Sequence, residues 1–381
     1  MLDDVFGADQ AAGSDLALAD LDAACRVRAN RVALAGGLFG ELHDRVRSRR
    51  GYDGAIMPAR HAALTLILPG LSVVLADARV RLPALEQLIA RGNGMQSVER
   101  AARSPLYPWQ QDAIMTLGLH ADNFPSAPTS WLGLGQAPAA GTLLHVTAVH
   151  MEATAAGLTM RAVEPWSAEE WGLVEPALQS HCERAGFAWR RLTSDGVFLS
   201  CADDLEVSCA APASVGHQEL RAMQPQGRDA RRLIQLQAEL QMLLHEHPVH
   251  ARRIAQQQAP INALWLWGAG GWPIAASCKP TLVYSNESYL RGVCSTNQIE
   301  HCDAPASLAD IVPVDGDTMA VASLTRAEEV EERFFAPLLR ALRHGAWRSV
   351  QVLWEEGRFD VTRRQLWRFW RRPRPLEELL A

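Results

Sequence analysis

The sequence lacks any run of about 18 apolar residues, which is the length that a membrane-spanning helix needs. It also lacks a CxxC pair: its 7 cysteines form an odd set that suits a reducing compartment, and we interpret them as packing residues. A basic excess is absent too. The formal net charge of −6 argues against general nucleic-acid binding, which requires several phosphates to be neutralised. With an acidic N-terminus that has no secretory pattern, these absences predict a cytoplasmic protein without a membrane partner.

Apolar residues are plentiful, since 48% of the 381 residues are hydrophobic, and the chain can therefore bury a sizeable core. An apolar run at Ala62–Leu68 predicts a strand buried on both faces. Helices are predicted at Pro83–Arg91, which begins with proline and precedes a glycine, and at Arg228–His247, which carries leucines on one face. Strands are predicted at Ile261–Trp267 and Ser349–Trp354. This alternation predicts an α/β fold with a mostly parallel sheet and helices on both faces.

A smaller α+β unit is predicted inside this larger fold. Its elements are a strand at Gly141–Met151, a helix at Ser167–Ala185 that begins with a Ser-x-x-Glu capping box, and a strand pair at Ala188–Leu192 and Val197–Cys201. Pro176 should kink that helix or split it. The predicted domains are a loosely attached N-terminal extension at 1–58, a core at 59–138 and 226–381, and an inserted subdomain at 139–225.

One long segment carries a resemblance to a known family. The sequence HPVHARRIAQQQAPINALWLWGAG, at His247–Gly270, resembles the HPVN-to-RGAG signature of archaeal-type, cofactor-independent phosphoglycerate mutases in the alkaline phosphatase superfamily. LTLILPGL, at Leu64–Leu71, is similar to that family's first strand, and LPALEQLIARG, at Leu82–Gly92, to the helix after it. The phrases SAPTSWLGLG, LHEHPV and WRFWRR resemble bacterial RpfE-type regulatory proteins. The resemblance implies a three-layer, alkaline-phosphatase-like fold.

Departures from the family pattern indicate lost chemistry. The family's first strand ends in a metal-binding Asp-Gly, and here Pro69 replaces the aspartate. The segment Thr318–Val330, which matches a stretch that supplies Asp and His ligands, contains neither residue type, and the family's Asp-His pair falls near Glu355. The arginine before Gly-Ala-Gly has become Trp267, and Ser104 is the nearest match to the nucleophile. Because phosphoryl transfer in this family relies on two hard cations about 4 Å apart, we expect no metal cofactor here.

The leading hypothesis is therefore a catalytically degenerate phosphoglycerate-mutase-like protein with a regulatory or ligand-binding role. Its ligand would be a phosphorylated or otherwise anionic metabolite. Backbone N–H groups of the glycine-rich turn after the predicted strand could meet an anion, although a tight turn explains the same residues. The candidate residues are the vestigial nucleophile Ser104 and the ligand contacts Arg252, Arg253, Asn262, Gly268 and Gly270.

A first alternative is an active enzyme. It would be a metal-dependent phosphoglycerate mutase or phosphohydrolase in which other residues replace the lost ligands. Candidate replacement ligands are Asp112, Glu355 and His344. In that case a divalent metal would be the cofactor.

A second alternative is a protein-interaction module that uses a Trp-rich C-terminal surface. The tail at Arg363–Arg372 interleaves aromatic and basic residues, a combination that also suits single-stranded nucleic acid. We favour a packing interpretation, in which Trp367 and Trp370 pack against the protein and the arginines pair with acidic residues at Glu328–Glu332.

Overall fold

The structure is a computed structural model that describes residues 62–76, 81–98, 100–101, 103–122, 124–154, 157–193, 196–212, 223–270, 280–322, 326–355 and 357–375. The N-terminal extension predicted at 1–58 lies outside these residues. Within the described part of the chain, no helix is both long and apolar enough to cross a membrane.

The described helices and strands alternate along the chain. The helices are α1 (Leu71–Ala76), α2 (Pro83–Arg91), α3 (Pro108–Thr116), α4 (Ser126–Gly133), α5 (Ala168–Arg184), α6 (Ala230–Glu246), α7 (Pro248–Ala255), α8 (Ser288–Asn297), α9 (Ala327–Val330) and α10 (Ala336–His344). The strands are β1 (Ala63–Ile67), β2 (Gln96–Ser97), β3 (Thr142–Thr154), β4 (Gly157–Ala162), β5 (Ala188–Arg191), β6 (Val197–Cys201), β7 (Ala263–Trp267), β8 (Pro280–Tyr284), β9 (Glu300–Cys302), β10 (Asp317–Val321), β11 (Ser349–Leu353) and β12 (Gly357–Thr362). A π-helical turn at Glu331–Phe335 joins α9 to α10, and a 3-10 helix at Arg363–Trp367 follows β12.

The central sheet is mixed and mostly parallel. Its strand order is β2-β12-β11-β1-β10-β8-β9. Strand β1 pairs in parallel with β10 and β11, and β8 pairs in parallel with β10 and β9. Strands β12 and β2 complete one edge in antiparallel pairing. The mostly parallel sheet predicted from the sequence is confirmed.

Successive residues of β1 belong to two different buried clusters. Leu66 belongs to a cluster with Leu88 of α2 and Leu338 of α10. Ile67 belongs to a second cluster with Ile114 of α3, and α8 also contributes to that cluster. Because neighbouring side chains of a strand point to opposite faces, helices contribute to the core on each side of β1.

A second, antiparallel sheet has the order β4-β3-β6-β5, with β7 paired to β3. The strands predicted at Gly141–Met151, Ala188–Leu192 and Val197–Cys201 are confirmed in it. Strand β7 lies in the part of the chain that the sequence analysis placed in the core, yet it pairs with His145–Val149 of β3. All five β7 side chains are buried. An apolar run predicts a buried strand but does not identify the strand with which it pairs.

Helix α5 continues through Pro176, so of the two predicted effects, a kink or a split, the split is wrong. Proline removes the hydrogen bond to the carbonyl group four residues earlier, which belongs to Gly172. Both residues are exposed, and water can reach that carbonyl. The opposite face of α5 buries Trp171, Val174 and Leu178, and this packing stabilises the helix on both sides of the proline.

The C-terminal turn also differs from its prediction. Trp367 and Trp370 do not pack against the protein: their side chains are 77% and 66% exposed. Leu366 is the buried residue of this segment. Glu331, which was expected to pair with an arginine of the tail, instead accepts hydrogen bonds from backbone N–H groups at the start of α2. An unfilled helix N-terminus binds a carboxylate well, and this competing interaction explains the difference.

Candidate functional site

The carboxyl ends of the parallel strands form the edge at which α/β sheets usually bind their ligands. Here β1 leads into Pro69 and Gly70, and β11 leads into Trp354 and Glu355. Arg100 contacts both the residues after β11 and Asp112 of α3. We call this group the Arg100 cluster: Arg100, Asp112, Trp354, Glu355 and Gly70.

The guanidinium of Arg100 is the centre of this cluster. Its Nε lies 3.1 and 3.2 Å from the two carboxylate oxygens of Asp112, and its Nη2 donates to Oδ2 at 2.6 Å. Nη2 also donates to the carbonyl oxygen of Trp354 at 2.6 Å, and Nη1 donates to that of Glu355. The side chains of Arg100 and Asp112 are only 8% and 3% exposed. Every guanidinium nitrogen therefore has an acceptor in a nearly dry site.

The acidic side chains of Asp112 and Glu355 contribute the negative charges of the Arg100 cluster. Glu355 accepts a hydrogen bond from the backbone N–H of Gly70 through Oε1, while its buried Oε2 has no hydrogen-bond partner among the described residues. Burial raises the pKa of the Asp112 carboxyl group; the hydrogen bonds and charge of Arg100 oppose this rise, and the charge of Glu355 adds to it. The cluster thus holds one fixed cation against one buried carboxylate, with a second carboxylate nearby.

This arrangement does not fit a pair of divalent metal ions. Each such ion needs several hard oxygen or nitrogen ligands. In the described residues, no group of three or more His, Cys, Asp or Glu side chains is placed to hold a metal. Both oxygens of Asp112 already bind Arg100. His344, the third replacement ligand predicted from the sequence, is exposed at the end of α10, before β11, whereas Glu355 follows β11.

Ser104, the nucleophile candidate, is completely buried in the turn before α3. Its hydroxyl donates to the carbonyl oxygen of Ala121 at 3.2 Å and accepts from the backbone N–H of Leu106 at 3.2 Å. Its own carbonyl accepts from the N–H of Ala211 at 2.7 Å. A nucleophilic serine needs an adjacent base, whereas these bonds tie the hydroxyl to backbone groups.

The two arginines predicted to bind a ligand lie on α7 and have protein partners. Arg252 forms a two-point surface pair with Glu169, with nitrogen–oxygen distances of 2.8 and 3.0 Å. Arg253 is 1% exposed; its Nη2 donates to the carbonyl oxygen of Glu164 at 2.9 Å, and its Nη1 lies 3.6 Å from the carboxylate of Glu170. Both guanidinium groups attach α7 to the start of α5 and the loop before it.

The other predicted contacts lie at opposite ends of β7. Asn262 accepts from the N–H of Met151 at 2.7 Å and donates to its carbonyl at 2.8 Å, and thereby extends the pairing of β7 with β3. Gly268 has a φ of 74°, and a Cβ there would lie 2.3 Å from the hydroxyl oxygen of Ser126. A Cβ on Gly270 would lie 2.7 Å from the Cβ of Pro125, the residue before α4. At about 3.3 Å per residue, the ends of β7 lie roughly 20 Å apart, so these residues do not converge on one small ligand.

An aromatic stack occupies the end of β7, where the resembling family has arginine. The His145 ring stacks on Trp267 with centroids 4.5 Å apart, and Tyr107 meets Trp267 edge to face at 5.5 Å. The indole N–H of Trp267 donates to the Thr147 hydroxyl at 2.8 Å. Burial lowers the pKa of His145 to about 4, despite a hydrogen bond to the backbone of Ser126. The end of β7 therefore carries stacked rings at the position where the resemblance predicts an arginine.

Sequence reasoning did not identify Arg100 as a site residue. Its partners are Asp112, twelve positions later, and backbone carbonyl groups more than 250 positions later. Backbone acceptors leave no side-chain signature, and no short motif surrounds the arginine.

Comparisons with known proteins give local similarity to one group. A stretch of 66 residues is 38% identical to a probable 2,3-bisphosphoglycerate-independent phosphoglycerate mutase of Geobacter sulfurreducens, and covers 17% of this chain and 16% of that protein. A stretch of 65 residues is 37% identical to the corresponding mutase of Methanothrix thermoacetophila, covering 17% of each. The matches thus span about one sixth of these relatives. No protein-family model matches the chain.

Two solved structures also align with this chain. A cofactor-independent phosphoglycerate mutase from Thermoplasma acidophilum aligns with a TM-score of 0.38 at 17% identity, over 79% of this chain and 90% of that one. The PH0037 protein from Pyrococcus horikoshii aligns with a TM-score of 0.40 at 13% identity, over 79% and 87%. The sequence matches support a phosphoglycerate-mutase-like relationship for part of the chain, which agrees with the resemblance in the sequence.

Proposed function

We propose that this chain is a catalytically degenerate, phosphoglycerate-mutase-like protein of the alkaline phosphatase superfamily. Its fold would have the three layers of that superfamily, and its nearest kin would be the RpfE-type regulatory proteins. Its role would be regulatory or ligand-binding, in the cytoplasm. The single observation that carries the proposal is the Arg100 guanidinium bound to the buried Asp112 carboxylate at the strand ends.

Electrostatics explain why the Arg100–Asp112 ion pair disfavours the binding of a divalent metal ion. Two unit charges about 4 Å apart interact by about 4 kcal/mol at an effective dielectric constant near 20, so a divalent cation beside Arg100 would be opposed by about 8 kcal/mol. Its attraction to Asp112 is of similar size. A metal ion at Asp112 gains little net energy, because that carboxylate is already neutralised by Arg100. Glu355 has one oxygen without a hydrogen-bond partner among the described residues but is a single further ligand, whereas a divalent ion needs several.

The nucleophile position supports the same conclusion. Ser104 is buried, and its hydroxyl is hydrogen-bonded to backbone groups on both sides. Phosphoryl transfer depends on positioning and on electrostatic stabilisation of the transferred group. The described residues near Ser104 provide backbone contacts and no ion clamp.

The experiment is a turnover assay of the full chain. We expect no conversion of 3-phosphoglycerate to 2-phosphoglycerate above background with Mn²⁺ or Mg²⁺, beside an active cofactor-independent mutase assayed under the same conditions. Turnover that disappears in Ser104→Ala would contradict the proposal and favour the enzyme alternative. If the chain binds a phosphorylated metabolite, as we propose, that metabolite should raise the Tm of the chain in the presence of a chelator, because a ligand that binds the native state stabilises the native state.

A further inference from the structure

The segment after the 3-10 helix exposes three large aromatic side chains. We call Trp367–Trp370 the aromatic turn. Trp367 and Phe369 are each 77% exposed and Trp370 is 66% exposed. The rings of Phe369 and Trp370 meet edge to face, with centroids 5.4 Å apart. Neighbouring exposed rings of this size mark interaction surfaces, because proteins rarely leave contiguous apolar patches in water.

The aromatic turn is fixed to the folded body. The guanidinium of Arg91 donates to the carbonyl oxygen of Leu366 at 2.9 Å. Arg368 and Arg371 both donate to the carbonyl oxygen of Gly92, at 3.3 and 2.8 Å. These bonds hold the turn against the C-terminal end of α2, where exposed carbonyl groups attract cations. The rings are therefore presented by an anchored turn.

The segment that carries the turn is positively charged. Every ionisable residue from position 363 to 375 is an arginine: Arg363, Arg364, Arg368, Arg371, Arg372 and Arg374. None of these six forms an ion pair with a described residue. Burial and the charge of nearby Arg343 lower the pKa of Arg91, which adjoins the turn. Although the whole chain has a net charge of −6, this face is suited to an anionic partner.

The turn is also separate from the Arg100 cluster. Strand β12 runs antiparallel to β11, and Thr362 at its end pairs with Ser349 at the start of β11. The aromatic turn follows Thr362, whereas Glu355 follows the other end of β11. A partner bound at the turn would thus leave the strand-end site open.

We propose that the aromatic turn is a peripheral membrane-contact site, which inserts its rings into the headgroup region of an anionic bilayer while the flanking arginines bind lipid phosphates. Aromatic rings and basic residues together provide the two signals that stable surface attachment needs. Rings this exposed on a turn fit a lipid interface better than a nucleic-acid groove, where bases stack on ring faces within a concave, basic site. The sequence-based expectation of no membrane partner rested on the absence of a spanning segment, which surface attachment does not require.

The test is co-sedimentation of the full chain with vesicles of phosphatidylcholine alone or mixed equally with phosphatidylglycerol. We expect binding to the mixed vesicles that weakens with salt. The variant Trp367→Ala/Phe369→Ala/Trp370→Ala should bind at least about tenfold more weakly, since it loses the inserted rings. A matched control, Leu173→Ala/Met242→Ala/Ile254→Ala, removes three exposed apolar side chains elsewhere and should bind like the wild type.

A charge variant completes the test. Arg364→Gln/Arg372→Gln/Arg374→Gln should bind about 100-fold more weakly, at roughly fivefold for each arginine near an anionic surface. All variants carry changes at exposed positions and should keep the wild-type circular dichroism. Equal binding to neutral and anionic vesicles, equal binding of the ring variant and the control, or binding of a single-stranded oligonucleotide in place of vesicles would each overturn the proposal.

Discussion

Replacing Arg100 with methionine should destabilise the protein more than any other single removal of a charged side chain described above. Methionine keeps much of the apolar stem but removes the guanidinium. The Asp112 carboxylate, at 3% exposure, would then be buried without its partner. Two backbone carbonyl groups, of Trp354 and Glu355, would also lose a donor.

The expected magnitude follows from the burial of the pair. Breaking a buried ion pair by removing one partner costs about 3 to 5 kcal/mol, largely because the remaining charge stays buried. Removing both partners should cost less than the sum of the two single changes, because Arg100→Met/Asp112→Leu leaves no orphaned charge. We therefore expect the double variant to recover about 2 kcal/mol relative to Arg100→Met.

The assay is urea unfolding at neutral pH followed by far-ultraviolet circular dichroism. Arg252→Met is the matched control, since Arg252 makes a similar two-point contact with Glu169 on the protein surface. An exposed ion pair contributes only about 0 to 1 kcal/mol, so this control should be nearly as stable as the wild type. Equal losses of unfolding free energy in Arg100→Met and Arg252→Met would refute the claim that Arg100 compensates a buried charge in a site shielded from water.

Two further predictions concern residues near the end of β7. The neutral, buried His145 has a pKa of about 4, below its usual 6.5, so its contribution to stability is complete above pH 6.5 and is lost as pH falls towards 4. His145→Gln should remove up to about 3 kcal/mol of the acid-induced loss of unfolding free energy, measured by urea unfolding from pH 7 to 4; an unchanged pH dependence would contradict this. Gly268→Ala should lower the unfolding free energy by at least about 2 kcal/mol more than Gly70→Ala, measured by the same urea unfolding. Both glycines have positive φ, but only at Gly268 would a Cβ meet other atoms, the nearest being the hydroxyl oxygen of Ser126. Similar losses for the two alanine variants would show that the Ser126 contact can relax.

The local elements of the fold could be predicted because their signals are local. Pro83 and Gly92 bracket α2 as expected, and Ser167 caps α5 through a hydrogen bond from the backbone N–H of Glu170. The continuous apolar run of β1 indicated a strand buried on both faces, which is the pattern of parallel sheets. Residue types at fixed spacing decide these features within a few positions of the chain.

Long-range features were not predictable in the same way. The pairing of β7 with β3 depends on residues more than a hundred positions apart, and an apolar strand satisfies either sheet. The exposure of Trp367 depends on which elements lie beside it in the fold, and periodicity carries no such information. The two-point bond of Asn262 to the Met151 backbone likewise looks, in the sequence, like a ligand contact.

In the candidate site, too, a local feature was visible in the sequence and a long-range contact was not. Pro69, where the resemblance predicts a metal-binding aspartate, was visible in the sequence, and the altered chemistry inferred from it stays a prediction. The position of Arg100 became visible once the chain was folded, because its acceptors are the carbonyl groups after β11 and the carboxylate of Asp112. A cation whose partners are mainly backbone carbonyl groups leaves no recognisable sequence motif.

Metal stoichiometry tests the central claim most directly. The full chain, purified without chelators and equilibrated with excess Mn²⁺, would be separated from free ions and its metal content determined by elemental analysis. Because Arg100 neutralises Asp112 and opposes a second cation, we predict substoichiometric manganese, unchanged by Ser104→Ala. Two equivalents of manganese per chain, lost when Asp112 is changed to alanine, would contradict the account.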